Sequence, residues 1–344
     1  MLSAQLLNAT MPKPAALFAA LNPTELQDFL PQPLAETVRS LAADFTLFDP
    51  TEKTVEEFHA ALAAANPEIL LAAWKTPPLP AQLPPRLRYV CYLCGSVKRL
   101  VTPAHLAQGL IVTNWGGSIS RIVAEWALFH ILCALRRASY WALAMHLQGA
   151  WKDSGTSTAS LFGRRIGIHG FGMVARELVR LLSPFGCQIS VHAPDVDDAL
   201  ARQWSVRPEP SLEALFAVND VVVELAPLIE ETQGIVTEAL LRLIQPGGVF
   251  VNLGRGAVVD EAALIAVARE GKVWFGLDVY SQEPLPRDHP LRGLTNVMLT
   301  PHIGGPTTDR RCDAGAFAVK NLLAYASETP LEAVVTADVY AITS

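Results

Sequence analysis

Gly167-Ile-His-Gly170-Phe-Gly172-Met-Val-Ala175 joins an apolar run, Ile166–His169, to an amphipathic run that reaches Leu182. A run of that length bounded by glycine predicts a buried strand, and the run after it predicts a helix. Gly170-x-Gly172-x-x-Ala175 then has a physical task. Gly170 permits a tight turn, Gly172 lets a ligand approach the backbone, and the small Ala175 lets the helix lie close to the strand. A helix N-terminus at that point presents unpaired N–H groups and favours negative charge, so the segment predicts a pyrophosphate seat. Gly170, Phe171, Gly172, Met173 and Val174 are its candidate residues. A glycine turn of the same shape that binds nothing is the bland alternative.

Working outward, further strand candidates follow at the interval of successive strand–helix units: Ile189–Ala193, Val221–Leu225, Val249–Leu253, Trp274–Val279 and Val297–Leu299. Six parallel strands with helices between them make a doubly wound, Rossmann-type sheet. Ahead of it lie Ala15–Leu21, Phe45–Phe48, Ile69–Trp74, Tyr89–Leu93 and Leu110–Thr113, with a helix-like Thr54–Ala64 and proline-rich punctuation, which predict a second, smaller α/β sheet. A long helical region begins near Ser118 or Ser120. Its apolar residues Ile122, Trp126, Phe129 and Cys133 share one face while Val123, Ala127, Ile131 and Ala134 occupy another, so it is expected to be buried in a core and a dimer contact. A last helix, Asp309–Ala326, is expected to return to the first sheet. The domains expected are therefore a discontinuous one, 1–117 with 306–344, and an inserted dinucleotide domain, 118–305.

The next strand of such a fold usually ends in an acid for the adenosine ribose. Here Ala193 stands at that point and Asp195 two residues later. With no Arg or Lys close behind, and with Asp197 and Asp198 able to repel a 2′-phosphate, NAD is favoured and NADP stays open. Asp195 as a solvated loop acid is the alternative.

Composition narrows the class. Of 344 residues 51% are hydrophobic and 17% charged, with a formal charge of −6, which suits sizeable cores and offers no basic surface for nucleic acid or anionic lipid. The most apolar region, Ile119–Trp151, is interrupted by Glu125, His130, Arg136, Arg137 and His146, so no membrane span is expected. Met1–Thr10 lacks a basic n-region, so no secretory signal is expected there. Five cysteines, an odd number, fit free thiols in a reducing, cytoplasmic setting. Cys91 and Cys94 form a Cys-x-x-Cys on a strand-like run, where positions i and i+3 face opposite ways, and they are expected to be buried and structural. Neither a Gly-x-Ser-x-Gly elbow nor a Gly-x-x-x-x-Gly-Lys-Ser/Thr loop occurs.

Three more segments sit past the ends of late strands, where ligands of open α/β sheets bind. They are Asn252-Leu-Gly-Arg255-Gly, Gly276-Leu-Asp278-Val-Tyr-Ser-Gln-Glu283-Pro and Thr300-Pro-His302-Ile-Gly304-Gly. In this order, after the Gly170 turn, they closely resemble the D-isomer-specific 2-hydroxyacid dehydrogenases, and the resemblance runs from about Ala15 to Ala326. It implies two doubly wound α/β domains, a Rossmann NAD-binding domain inserted in a discontinuous flavodoxin-like substrate domain. It also implies hydride transfer between NAD(H) and a small 2-hydroxy or 2-keto acid, in a homodimer. Arg255 would bind the substrate carboxylate and polarise its carbonyl, His302 would be the acid/base, and Glu283 would hold the imidazole. Asp278 resembles the acid that meets the nicotinamide carboxamide, or else is a strand-end hydrogen-bonding acid. Ala226, Pro227 and Thr232 match the loop beside the adenosine, and Leu253 and Gly304 complete the cofactor set. Gly95, Ser96 and Val97 align with the turn whose N–H groups bind the substrate carboxylate.

Several residues depart from the family pattern. Leu225 replaces a frequent His, Lys98 and Arg99 stand where neutral or acidic residues are common, and Trp115 and Trp126 replace smaller residues or a His. Trp74 and Lys75 are placed near the substrate by position alone. Formate dehydrogenases pair the His with Gln, against Glu283 here; phosphite dehydrogenases use Lys in the substrate turn, where this chain has Cys94. A nicotinamide-sensing binding protein of the same fold is the alternative of another class.

Overall fold

A computed structural model describes residues 16–152, 155 and 157–342. The chain divides at Ile119/Ser120 and again at Pro306/Thr307 into two compact units, the first built from both ends of the sequence.

The first unit holds a five-stranded parallel sheet: β1 (Leu17–Ala20), β2 (Phe45–Phe48), β3 (Ile69–Ala72), β4 (Tyr89–Tyr92) and β5 (Ile111–Thr113), in the order β2-β1-β3-β4-β5. That is the flavodoxin-like order. The central strands β1, β3 and β4 are buried along their whole length, as expected of strands covered on both faces. Ala15, the expected start of the first strand, lies outside the described residues. β3 stops two residues short of Trp74, because the Thr76 hydroxyl accepts the Ala73 N–H and donates to the Ala20 carbonyl, which turns the chain. The helix Val55–Ala65 starts at a reciprocal cap between Thr54 and Glu57. The last long helix, Arg311–Ala326, packs on the helix Pro23–Phe29, and the two are tied by an Arg311–Asp28 ion pair of 2.6 Å. Gly315 is the point of closest approach. A Cβ there would lie 1.6 Å from the Phe29 carbonyl oxygen.

In the second unit the parallel strands are β6 (Arg165–His169), β7 (Gln188–His192), β8 (Arg207–Pro208), β9 (Val221–Glu224), β10 (Val249–Asn252), β11 (Trp274–Leu277) and β12 (Val297–Leu299), ordered β12-β11-β10-β9-β6-β7-β8. Counted from β6, this is the Rossmann order extended by one strand. The sheet thus has seven strands where six were expected. β8 is only two residues long and ends in Pro208, too short to show as a hydrophobic run.

The long helical region begins at Ser120 and is built of two helices, Ser120–Leu135 and Ala138–Gln148. Arg137 breaks it with a left-handed φ of +61°. Its guanidinium donates to the carbonyls of Ala134, Ser157 and Gly247 and stacks 4.2 Å from the Trp274 ring, which holds a conformation that its sequence preference opposes. Cys91 and Cys94 are buried with free thiols, and burial raises both, Cys91 to about 11. No helix among the described residues is long and apolar enough to cross a membrane.

Gly315→Ala is expected to destabilise the first unit by about 3 kcal/mol, since backbone rather than a yielding side chain fills the space. Urea unfolding followed by circular dichroism checks this; a midpoint equal to wild type would mean that the two helices part freely.

Candidate active site

Several strands of the second unit end in, or are followed at once by, a polar residue. His169 ends β6, Glu224 ends β9, Asn252 ends β10 and Asp278 follows β11, and all four are buried. This is the edge where open α/β sheets hold ligands.

The Gly170 turn lies there as expected. Gly170 has φ +83°, and a Cβ on it would come within 2.8 Å of the Ala226 backbone. Gly172 is the N-cap of the helix Met173–Leu182, no side chain caps its first turn, and a Cβ on Gly172 would meet open space. Phe171 is buried while Met173 is exposed. Unpaired N–H groups at the end of a ten-residue helix, beside open space, suit the phosphates of a dinucleotide. Asp195 is exposed in the turn after β7, and Asp197 caps the helix Asp198–Trp204. Thr232 closes the loop on itself, accepting the Ile229 N–H and donating to the Pro227 carbonyl. Leu253 is buried.

His302 and Glu283 are brought together. His302 Nδ1 lies 2.6 Å from Glu283 Oε2, and Glu283 Oε1 accepts the Tyr280 N–H at 3.0 Å, which fixes the carboxylate. His302 has φ +53° and its side chain is half exposed, so the ring is held at Nδ1 and open at Nε2. A cavity of about 710 Å³ adjoins the pair, lined by Leu285, Arg292, Leu299 and Thr300 among others. Arg255 follows β10 on a loop set by Asn252, whose Oδ1 accepts the Gly254 N–H and whose Nδ2 donates to the Arg255 carbonyl. Burial lowers the Arg255 guanidinium and the nearby Glu283 charge opposes that shift. Gly256 explains the Arg-Gly pair: a Cβ there would fall 2.0 Å from the Tyr280 carbonyl carbon, so only glycine lets the Arg255 loop pass against the Glu283 loop.

Asp278 anchors the strained His302 segment. Its Oδ1 accepts the Thr300 hydroxyl at 2.6 Å and the Ile303 N–H at 3.0 Å, and its Oδ2 accepts the Gly304 N–H at 2.8 Å. Trp126 packs beneath, 2.7 Å from where a Gly304 Cβ would be. His130 was not singled out from the sequence, yet it is fully buried with Nε2 3.1 Å from the Thr300 hydroxyl. Because that hydroxyl donates to Asp278, it accepts from His130, which places the proton on Nε2. Its only advance signal was a His on an otherwise apolar helix.

Within the first unit, Gly95, Ser96 and Val97 follow β4. The N–H groups of Ser96 and Val97 meet no acceptor among the described residues, an arrangement suited to an anion. Trp115 lies over the turn, 2.8 Å from where a Gly95 Cβ would be, and meets the exposed Trp74 edge to face at 6.1 Å. Lys98 reaches instead to the Ala341 carbonyl and the Tyr340 ring. The Lys75 N–H donates to the buried Glu25, whose carboxyl is raised by that burial. No group of His, Cys, Asp and Glu suited to a metal occurs among the described residues.

Residues 128–304 match the family model for the D-isomer specific 2-hydroxyacid dehydrogenase, NAD binding domain. A glyoxylate reductase of Aeropyrum pernix is 31% identical over 251 residues, which is 70% of this chain and 74% of that one. A mitochondrial formate dehydrogenase of Oryza sativa subsp. japonica is 35% identical over 228 residues, 64% of this chain and 59% of that one. Among solved structures, the D-mandelate dehydrogenase of Rhodotorula graminis superposes with a TM-score of 0.81 over 94% of this chain and 97% of that one, at 23% identity, a likeness of fold.

Burial depresses His130 to about 4, with Asp278 acting weakly the other way. The ring is therefore neutral in the fold, while in the unfolded chain it takes a proton below its usual 6.5. Its stabilisation is complete above pH 6.5 and is lost as pH falls toward 4, a change of up to about 3 kcal/mol. Urea titrations at pH 7 and 4.5 should show a smaller acid loss in His130→Gln than in wild type; equal losses would remove His130 from the account.

Proposed function

Since this chain belongs to the D-isomer specific 2-hydroxyacid dehydrogenase family, with that family's NAD-binding domain, we propose that it reduces a small 2-keto acid to the 2-hydroxy acid with His302 as its acid/base. The observation that carries this reading is the 2.6 Å His302–Glu283 bond on a loop fixed by Asp278, with Glu283 close enough for its charge to act on the Arg255 guanidinium.

The residues fit a dinucleotide at the Gly170 turn. Gly170, Phe171, Gly172, Met173 and Val174 would hold its phosphates, Asp195 its ribose, Ala226, Pro227 and Thr232 its adenosine, and Leu253, Asp278 and Gly304 its nicotinamide end. When bound, NAD(H) supplies or accepts the hydride, and NADP(H) is tested beside it.

This chain's own residues manage charge and the proton. Arg255 presents paired donors to the planar carboxylate and carbonyl oxygens of the substrate and draws electron density from the carbonyl carbon. His302 gives the proton on Nε2 to the carbonyl oxygen as it becomes the alcohol, and Glu283 holds the ring in place through Nδ1. In the oxidative direction neutral Nε2 takes that proton back.

The protein is proposed to act in the cytoplasm as a homodimer. Leu143, Met145 and Leu147 on one helix, with Trp151 after it, leave large apolar side chains exposed, Leu147 by 77%. Size-exclusion chromatography with light scattering should give twice the chain mass; the mass of one chain would overturn the dimer.

The purified protein is to be mixed with NADH or NADPH and a panel of 2-keto acids from glyoxylate to aromatic ones, and absorbance at the reduced nicotinamide band followed. Turnover is expected with at least one acid. His302→Ala should lower kcat by roughly 10²–10⁴-fold and leave NADH binding unchanged. Binding without turnover of any acid would replace this reading with dinucleotide sensing, and full turnover in the variant would refute the role of His302.

A further inference from the structure

Two strand-end residues form a buried pair that the proposed chemistry does not use. His169 ends β6, Glu224 ends β9, and they are register partners in the parallel ladder. His169 is 5% exposed and Glu224 is wholly buried. His169 Nδ1 lies 2.6 Å from Glu224 Oε2, and Glu224 Oε1 accepts the Ala226 N–H at 2.8 Å. One carboxylate thus ties the residue before the Gly170 turn to the loop facing that turn.

The loop has little room. A Cβ on Gly170 would lie 2.8 Å from both the N and the Cα of Ala226, and one on Gly254 would lie 3.2 Å from the Ala226 carbonyl oxygen. The Leu225 N–H also bonds the His169 carbonyl at 2.9 Å. The Ala226 peptide is consequently wedged between two glycine turns, and its orientation is set by the acceptor on its N–H, which is Glu224.

Strand ends covered on both faces are ordinarily apolar, and a carboxylate withdrawn from water is costly unless paired and hydrogen-bonded. Apolar residues of similar size would serve packing as well or better. What they could not do is accept the Ala226 N–H.

We propose that Glu224 and His169 are positioning residues for the dinucleotide: Glu224 orients the Ala226 peptide against the Gly170 turn, and His169 holds Glu224 in the orientation that does so. This rests on the reading of the Gly170–Ala175 segment as the dinucleotide site. The pair touches no substrate and moves no proton in the reaction. Its effect is to preform one wall of the site, so that binding does not have to order it.

The double variant His169→Leu/Glu224→Leu removes both polar side chains together and leaves neither without its partner, so the fold is expected to survive. Glu224→Leu alone is made in parallel, so that the acceptor is lost in two backgrounds. Glu224→Gln keeps an oxygen for the Ala226 N–H, and its NH₂ can donate to His169 Nδ1 in the other tautomer. Two readouts are taken on the full chain: NADH and NADPH affinity by fluorescence titration, and hydrogen exchange of the Ala226 amide without ligand. The double variant is expected to bind the preferred dinucleotide about tenfold more weakly and to exchange Ala226 faster, with Glu224→Gln within about threefold of wild type on both. Wild-type affinity in the leucine variants would overturn the proposal, as would a Glu224→Gln variant as weak as the double one, since charge rather than geometry would then be at work. A wild-type chain that binds neither dinucleotide, yet exchanges Ala226 faster once Glu224 is lost, would overturn the dinucleotide reading itself and leave the loop contact standing.

Discussion

Asp278 is the group on which the arrangement around His302 depends. A left-handed backbone at a non-glycine residue must be held by its surroundings. Here one buried carboxylate accepts from Thr300 on one side of His302 and from Ile303 and Gly304 on the other. Everything near it is arranged so that these three donors remain. His130 supplies a donor to the Thr300 hydroxyl and leaves that hydroxyl's own proton for Asp278, while Gly276 makes room for the His130 ring. Tyr280 donates its hydroxyl to the Leu277 and Thr300 carbonyls, stitching the end of β11 to the same segment.

A second regularity runs across the sheet. Glu224, the last residue of β9, and Asn252, the last residue of β10, are polar, buried and hydrogen-bonded to the backbone of the loop that follows, while Asp278, just past β11, bonds the loop after β12. Asn252 bonds the Arg255 loop, Glu224 the Ala226 loop and Asp278 the His302 loop. In β9 and β10 the apolar part secures the strand's place in the sheet, and the last side chain decides how the next loop leaves it. Loops fixed in this way can present side chains as rigidly as the sheet itself.

This division also explains what could be read in advance. The Gly170 turn, the Arg255-Gly256 pair and the Pro301-His302 segment are short local signals, and for Gly170 and Gly256 the structure supplies a steric reason visible only as a residue type. Both parallel sheets followed from apolar runs. Other features depend on partners far away in sequence. Arg137 is a good helix former and gave no sign of a break, because the carbonyls that bind its guanidinium include those of Ser157 and Gly247. His130 could not be told from an ordinary core histidine without Thr300. β8 was invisible because two residues ending in proline carry no periodicity. Asp278 fitted two roles in the sequence, and its contacts within the chain are those of a strand-end acid.

The insertion of Ser120–Pro306 into the other unit has a consequence for how the chain is made. The five strands of the first sheet are synthesised early, but the helix Arg311–Ala326, whose Gly315 seats on the Phe29 carbonyl, emerges after the entire second unit. During translation the first sheet therefore waits with part of its apolar surface uncovered, while the second unit, continuous in sequence, has all its strands in hand. Closing the first unit means joining segments separated by that whole insert, an entropic cost eased once the insert has folded and its ends are fixed. The order of assembly is in this sense written into the connectivity: the dinucleotide-type sheet is free to fold first, and the sheet that begins the sequence is the last to be completed.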